Sequence, residues 1–260
     1  MAWMERSPRI VVTVQSPEHA RNEEVAWRKN DRYFEGVLRH GGQVLVLDED
    51  SSPADRTAAF AEMDGLLLSG GADLDPHLYG QEPNGSRDIE PGRDALEQEA
   101  FAAAEARRAP VFGICRGMQA INVFRGGALV QDMDGHTSPA YPAPEASSHP
   151  LTLDPGSRLA DILGDESGPF IQATVNTYHH QGVRADGLGV RLVATGVSPH
   201  AHGDLVEALE DPDPDRWLIA VQSHPERTEF TSPEFTRLWR SFIAAAREFA
   251  ARTSSGPRAQ

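Results

Sequence analysis

The sequence predicts an α/β fold of three layers, with a mostly parallel central sheet between helices. Two observations carry this. Short apolar, β-branched runs alternate with amphipathic stretches of helical period through the first half of the chain. A helix-length stretch separates each run from the next, which is what right-handed crossovers between parallel strands require.

Ile10-Val11-Val12-Thr13-Val14 reads as a buried strand. Glu23–Arg39 reads as a helix because Val25, Tyr33, Val37 and Leu38 fall roughly on one face, and Gly41-Gly42 stops it. Gln43–Leu47 is the next strand. Pro53–Glu62 is a short helix after Ser51-Ser52, and Gly65–Leu68 is a third strand ending in Ser69-Gly70-Gly71. A polar loop rich in Pro and Gly, residues 72–92, precedes an Ala- and Glu-rich helix over residues 94–108, and residues 110–114 form the fourth strand. Beyond Gly127, strands are expected at 128–130, 150–153, 173–175, 190–194, 205–209 and 218–221. The segment 134–148, with Pro139, Pro142 and Pro144, is expected to be an exposed, mobile loop. A last helix spans residues 233–251, and residues 252–260 form a frayed tail. With no repeat and no convincing linker, residues 1–260 are expected to form one domain with its core at about 9–249.

Composition narrows the function. The formal net charge of −15 excludes a nucleic-acid surface, which needs clustered Lys and Arg. Hydrophobic residues make up 39% of the chain, enough for a sizeable core, yet no apolar run reaches the roughly 18 residues of a membrane helix. Residues 1–9 lack the apolar stretch of a secretory signal. A single cysteine forms no internal disulfide, which fits a reducing, cytoplasmic setting.

That cysteine lies in Gly113-Ile114-Cys115-Arg116-Gly117, between a strand and a helix. A helix N-terminus favours the thiolate, and the flanking glycines clear a turn as sharp as a nucleophile elbow. The alternative is a buried, inert thiol, the usual fate of a lone cysteine; the glycines and the strand-to-helix switch favour the nucleophile. A nucleophile needs a base and the base an orienting partner. His224 and Glu226, in Gln222-Ser223-His224-Pro225-Glu226, follow a strand and sit two positions apart, so both side chains can share a side. A surface histidine in a turn is the alternative. Ser69-Gly70-Gly71 ends a neighbouring strand, where glycines let the backbone approach a substrate closely, and the Arg116 amide adjoins the thiol.

Taken together, "SGGADLDPHLYG" (69–80), "GICRGMQAINVFRGGALVQDM" (113–133), "VNTYHHQGV" (175–183) and "VQSHPE" (221–226) resemble the class I glutamine amidotransferase-like superfamily, which has a flavodoxin-like fold. Within it they resemble the freestanding γ-glutamyl-γ-aminobutyrate hydrolases, the peptidase C26 family. The resemblance implies a triad of Cys115 (nucleophile), His224 (base and acid) and Glu226 (orienting His224). It also implies an oxyanion hole from the amides of Gly71 and Arg116, and substrate contacts at Gly70, Gln119, His179, His180 and Gln181. Gln119 would help hold the glutamyl head group. His179 and His180 either donate to a substrate carboxylate or tie their loop to the sheet.

The reaction so implied is hydrolysis of a γ-glutamyl amine, such as γ-glutamyl-γ-aminobutyrate or a γ-glutamyl polyamine, through a cysteine thioester. Two alternatives stand beside it: a glutaminase subunit feeding ammonia to a separate synthase, and a non-catalytic binding relative. Ser223 departs from the family, where a bulkier residue commonly precedes His-Pro-Glu, and this bears on which amine is accepted. Asp73, Asp75 and Glu82 are candidates for an acidic mouth favouring a cationic amine. No spacing of a metal site or nucleotide motif is present, so no metal or cofactor is expected. The expected partner is a small γ-glutamyl substrate, and the resemblance makes a homodimer the expected assembly.

Overall fold

The computed structural model describes residues 6–137 and 145–254. Its strands are β1 (Arg9–Thr13), β2 (Gln43–Leu47), β3 (Gly65–Leu68), β4 (Val111–Ile114), β5 (Ser147–Leu153), β6 (Gln172–Thr177), β7 (Val193–Ser198), β8 (Leu205–Glu210) and β9 (Leu218–Val221). Its α-helices are α1 (Glu23–Arg39), α2 (Pro53–Glu62), α3 (Pro91–Arg107), α4 (Arg116–Phe124), α5 (Arg158–Leu163) and α6 (Thr236–Ser254).

The strands form one sheet in the order β2-β1-β3-β4-β9-β8-β7-β5-β6. From β2 to β9 every pairing is parallel, which is the expected core. From β9 outward every pairing is antiparallel. The turns joining β7 to β8 and β8 to β9 are too short for a parallel crossover, so those strands must double back.

Alternation along each central strand divides the core into two layers. Ile10, Val12, Leu67, Phe112, Ile219 and Val221 face α1, α5 and α6. Val11, Leu66, Leu68, Val111, Leu218 and Ala220 face α3 and α4. Strands buried on both faces explain why these runs are continuously apolar. Asn22 and Ser52 cap α1 and α2, each accepting an N–H three residues on, which sets the helix starts where the sequence places them.

Several expectations are corrected. Residues 128–130 are no strand; Val130 makes only an isolated bridge to Gly182. The strand expected at 190–194 begins at Val193, after Arg191 takes a positive φ of 57° that extended pairing does not allow. α3 starts at Pro91, whose missing N–H suits a first turn. α5 was not expected, because it is six residues long and shows barely one turn of period. A 3₁₀ turn at Pro233–Phe235 precedes α6, which runs on to Ser254; residues 255–260 of the expected tail lie outside the described residues. So do Pro139, Pro142 and Pro144; the described part of 134–148 contains the start of β5 and a buried His136, not an exposed loop throughout. Among the described residues, no helix is long and apolar enough to cross a membrane.

Candidate active site

The parallel strands end on one edge of the sheet, where ligands of open α/β folds bind. Cys115 sits there, between β4 and α4, with φ 52° and ψ −107°. A non-glycine residue in that region costs of the order of 1–3 kcal/mol and persists only where its surroundings hold it. They do: the Cys115 N–H donates to the Val221 carbonyl of β9 (2.8 Å), and its carbonyl accepts from Met118 and Gln119 in α4. A Cβ on Gly117 would overlap the Leu68 carbonyl, so only glycine lets α4 start against β3.

The turn after β9 brings His224 to the sulfur. A Cβ built on Gly70 would lie 3.0 Å from His224 Cε1 and 3.6 Å from Cys115 Cβ, so this glycine separates ring and cysteine by little more than its own width. His224 Nδ1 donates to Glu226 Oε1 at 2.7 Å. Burial disfavours charge on the ring, but the Glu226 carboxylate and the Cys115 sulfur outweigh it, and the pKa is raised to about 10. The backbone of His224 is clamped by Asn176 at the end of β6: its N–H donates to Asn176 Oδ1 (2.8 Å), and its carbonyl accepts from Nδ2 (3.0 Å). Tyr178 stands edge-on to the imidazole, with centroids 5.2 Å apart. Ser223 is buried beside it.

Gly71 and Arg116 present their amides nearby. The Gly70 carbonyl accepts from Arg93 Nη2 at 3.0 Å. In a trans peptide this turns the Gly71 N–H the opposite way, away from Arg93. Arg116 opens α4, so its N–H has no intrahelical acceptor. Beneath both lies a buried ionic network that sequence reading missed. Glu97, fully buried in α3, is paired with both Arg93 (2.9 Å) and Arg116, and Asp94 takes Arg116 Nη2 at 2.5 Å. Although burial pulls the other way, Arg116 and Arg93 hold the Glu97 carboxyl below its ordinary range. Arg93, Asp94 and Glu97 share a helix face, at i, i+1 and i+4; in a charged, Ala-rich helix that pattern reads as solvated surface.

The other expected contacts are placed as follows. Gln119 is buried and donates to Gln222 Oε1 (3.2 Å) and the Gln181 carbonyl (3.1 Å); Gln222 in turn donates to Cys115 Sγ at 3.4 Å. His180 bridges Asp73 and Asp132, and Gln181 donates to Ser86 and the Gln131 carbonyl. His179 is buried, with Nδ1 on the same Gln181 carbonyl that Gln119 reaches. Of the acidic candidates, Asp73 is held by His180 and Asp75 by His77, while Glu82 is exposed. Tyr33, whose hydroxyl accepts the Gly70 N–H (3.1 Å), lies outside every quoted motif, while Gln222 and Asn176 lie within motifs but were given no role.

Comparison with known proteins follows the same lines. Residues 10–226 match the family model Peptidase C26. Protein NtpR of Enterococcus hirae is 34% identical, over 81% of this chain and 86% of its own length. Gamma-glutamyl-gamma-aminobutyrate hydrolase PuuD of Escherichia coli K12 is 30% identical, over 83% and 85%. In fold, the glutaminase domain of Trypanosoma brucei CTPS, solved with bound acivicin, superposes with a TM-score of 0.61 at 18% identity, covering 93% of this chain and 94% of that one. With a match running through most of its length, the chain belongs to the Peptidase C26 family, within the class I glutamine amidotransferase-like superfamily.

Proposed function

We propose that the protein hydrolyses the γ-amide bond of a γ-glutamyl amine, with Cys115 as nucleophile, His224 as acid and base, and Glu226 orienting His224. The observation that carries this is the strained Cys115 turn facing an imidazole whose other nitrogen is fixed on a carboxylate at 2.7 Å. The likeness to E. coli PuuD supports the substrate class.

The Cys115 sulfur is approached by the N-terminus of α4, the Gln222 side-chain donor and the His224 ring. Its sulfur attacks the γ-carbonyl carbon, and the carbonyl π pair moves onto oxygen. The amides of Gly71 and Arg116 receive that oxyanion, each such donor being worth about 3 kcal/mol. On collapse the C–N bond breaks and His224 gives its proton to the departing amine. The γ-glutamyl thioester remains. His224, now neutral, takes a proton from water, the hydroxide adds to the thioester, and glutamate leaves with the sulfur restored.

The buried Arg93–Glu97–Arg116 network keeps both oxyanion donors in place before substrate arrives, so the site need not reorganise during reaction. The test is glutamate release by the pure protein over a panel of γ-glutamyl amines, with free glutamine alongside. Release from γ-glutamyl-γ-aminobutyrate or a γ-glutamyl polyamine, well above that from glutamine, is the expected result. Activity on glutamine alone, or none on any member, overturns the proposal.

A further inference from the structure

A second polar cluster lies in the antiparallel half of the molecule, and the proposed hydrolysis makes no use of it. Glu207 of β8 is 2% exposed, and neither of its carboxylate oxygens has a hydrogen-bond partner. Around it stand His136, from the chain following α4, His149 of β5 and His179 of the loop after β6. His149 Nε2 lies 3.6 Å from one Glu207 oxygen, and His179 Nε2 lies 3.8 Å from the other, both beyond hydrogen bonding. His136 Nδ1 and both Nε2 atoms are buried without partners as well.

The outer nitrogens decide what the inner ones are. His149 Nδ1 lies on the Pro150 carbonyl (3.1 Å), and His179 Nδ1 lies on the Gln181 carbonyl (2.8 Å). A carbonyl only accepts, so each Nδ1 carries the ring proton and each Nε2 presents a lone pair. His149 and His179 thus turn Nε2 lone pairs toward the Glu207 carboxyl with no hydrogen bond joining them, an arrangement that a positive ion would satisfy. Imidazoles held through their second nitrogen by backbone carbonyls are also the usual arrangement of metal-bound histidine.

We propose that His136, His149, His179 and Glu207 form a binding site for one divalent first-row transition-metal ion of the zinc type. One candidate ligand atom from each of the four lies within 4.8 Å of every other. A zinc tetrahedron with bonds near 2.0–2.1 Å has edges of about 3.3 Å; His149 Nε2 and His179 Nε2 stand 3.6 and 3.8 Å from different Glu207 oxygens, so ion binding would draw the four ligands together around one of them. Three imidazoles and one carboxylate suit zinc or its neighbours; magnesium and calcium take oxygen ligands. A row of tilted rings leads from the cluster to the surface: His136 lies 5.5 Å from His200, and His200 lies 5.6 Å from the exposed His202. A dication there would join the chain after α4, β5, the loop after β6 and β8. This reverses the expectation drawn from spacing.

The experiment uses the full chain carrying Cys115→Ser, so that the thiol offers no competing ligand, stripped with chelator and titrated with cobalt(II). One equivalent should bind, with the intense visible bands of four-coordinate cobalt, be displaced by zinc and be unaffected by excess magnesium or calcium. Glu207→Gln and His149→Ala should each weaken binding by more than about 100-fold, beyond the loss of an outer partner. Should those variants not fold, zinc-edge anomalous diffraction from crystals of the unaltered protein soaked in zinc chloride should place a peak among the four side chains. The proposal is overturned by binding below one equivalent, by unchanged affinity in both variants, by displacement with magnesium, or by no peak there.

Discussion

His224 with Glu226, and His149 and His179 with Glu207, are the same chemistry in opposite states. In the first, imidazole nitrogen and carboxylate oxygen are 2.7 Å apart, and the ring's pKa is raised to about 10. In the second the gaps are 3.6 and 3.8 Å, and both rings are pushed below their ordinary value, burial being the largest cause. Burial alone does not separate them. What differs is the direction of the Nδ1 atom: on a carboxylate at His224, on backbone carbonyls at His149 and His179. A proton bridges the first pair and yields a charged acid beside the sulfur. Nothing bridges the second, whose carboxylate oxygens and Nε2 atoms have no hydrogen-bond partner.

The comparison breaks most visibly at the sulfur that the first pair is proposed to serve. Cys115→Ala should lower turnover by at least about 10⁴-fold while leaving the unfolding transition in place, as for loss of a nucleophile elsewhere. Retained glutamate release in that variant would remove Cys115 from the mechanism.

Next come the pair's own members. His224→Ala should cost more activity than Glu226→Ala, because orienting a base contributes less than being one. Glu226 also sets the titration. A raised pKa means the interaction is fully present below pH 6.5 and lost as pH rises through about 10. The alkaline limb of kcat/KM should therefore fall from near 10 toward 6.5 in Glu226→Gln. A limb that does not move assigns the titration to another group.

The smallest effect sharpens the contrast between a paired and an unpaired buried carboxylate. Glu97→Gln removes the buried charge shared by Arg93 and Arg116, leaving Arg116 with Asp94 and Arg93 with Glu90, and should destabilise the protein by about 3 kcal/mol. Glu207→Gln, measured in chelator, loses no partner and should cost less than about 1 kcal/mol. Denaturant unfolding of both variants checks the order; the reverse order would show that Glu207 is already satisfied.

Much of this was legible along the chain. The parallel half could be read because each buried strand is a local apolar run and each helix has a local cap and period, as with Asn22 before α1. Cys115 was legible because its glycines are neighbours in sequence and the steric demand they meet is local too. His224 and Glu226 were singled out because they lie two positions apart past a strand, although a turn rather than extended chain brings their side chains together. Each of these is a relation between residues a few positions apart, which is where sequence pattern has force.

Tertiary structure alone decided the rest. Arg93, Asp94 and Glu97 look like a solvated helix face until α3 packs beside α4 and brings Arg116 over them. Asn176 is an ordinary strand residue until β6 comes back to the turn after β9. His136, His149, His179 and Glu207 come from four separate segments, and no spacing rule joins them. The physical reason is common to all: a buried charge or lone pair is governed by the nearest group in space, and the antiparallel half of the sheet chooses that neighbour from far along the chain.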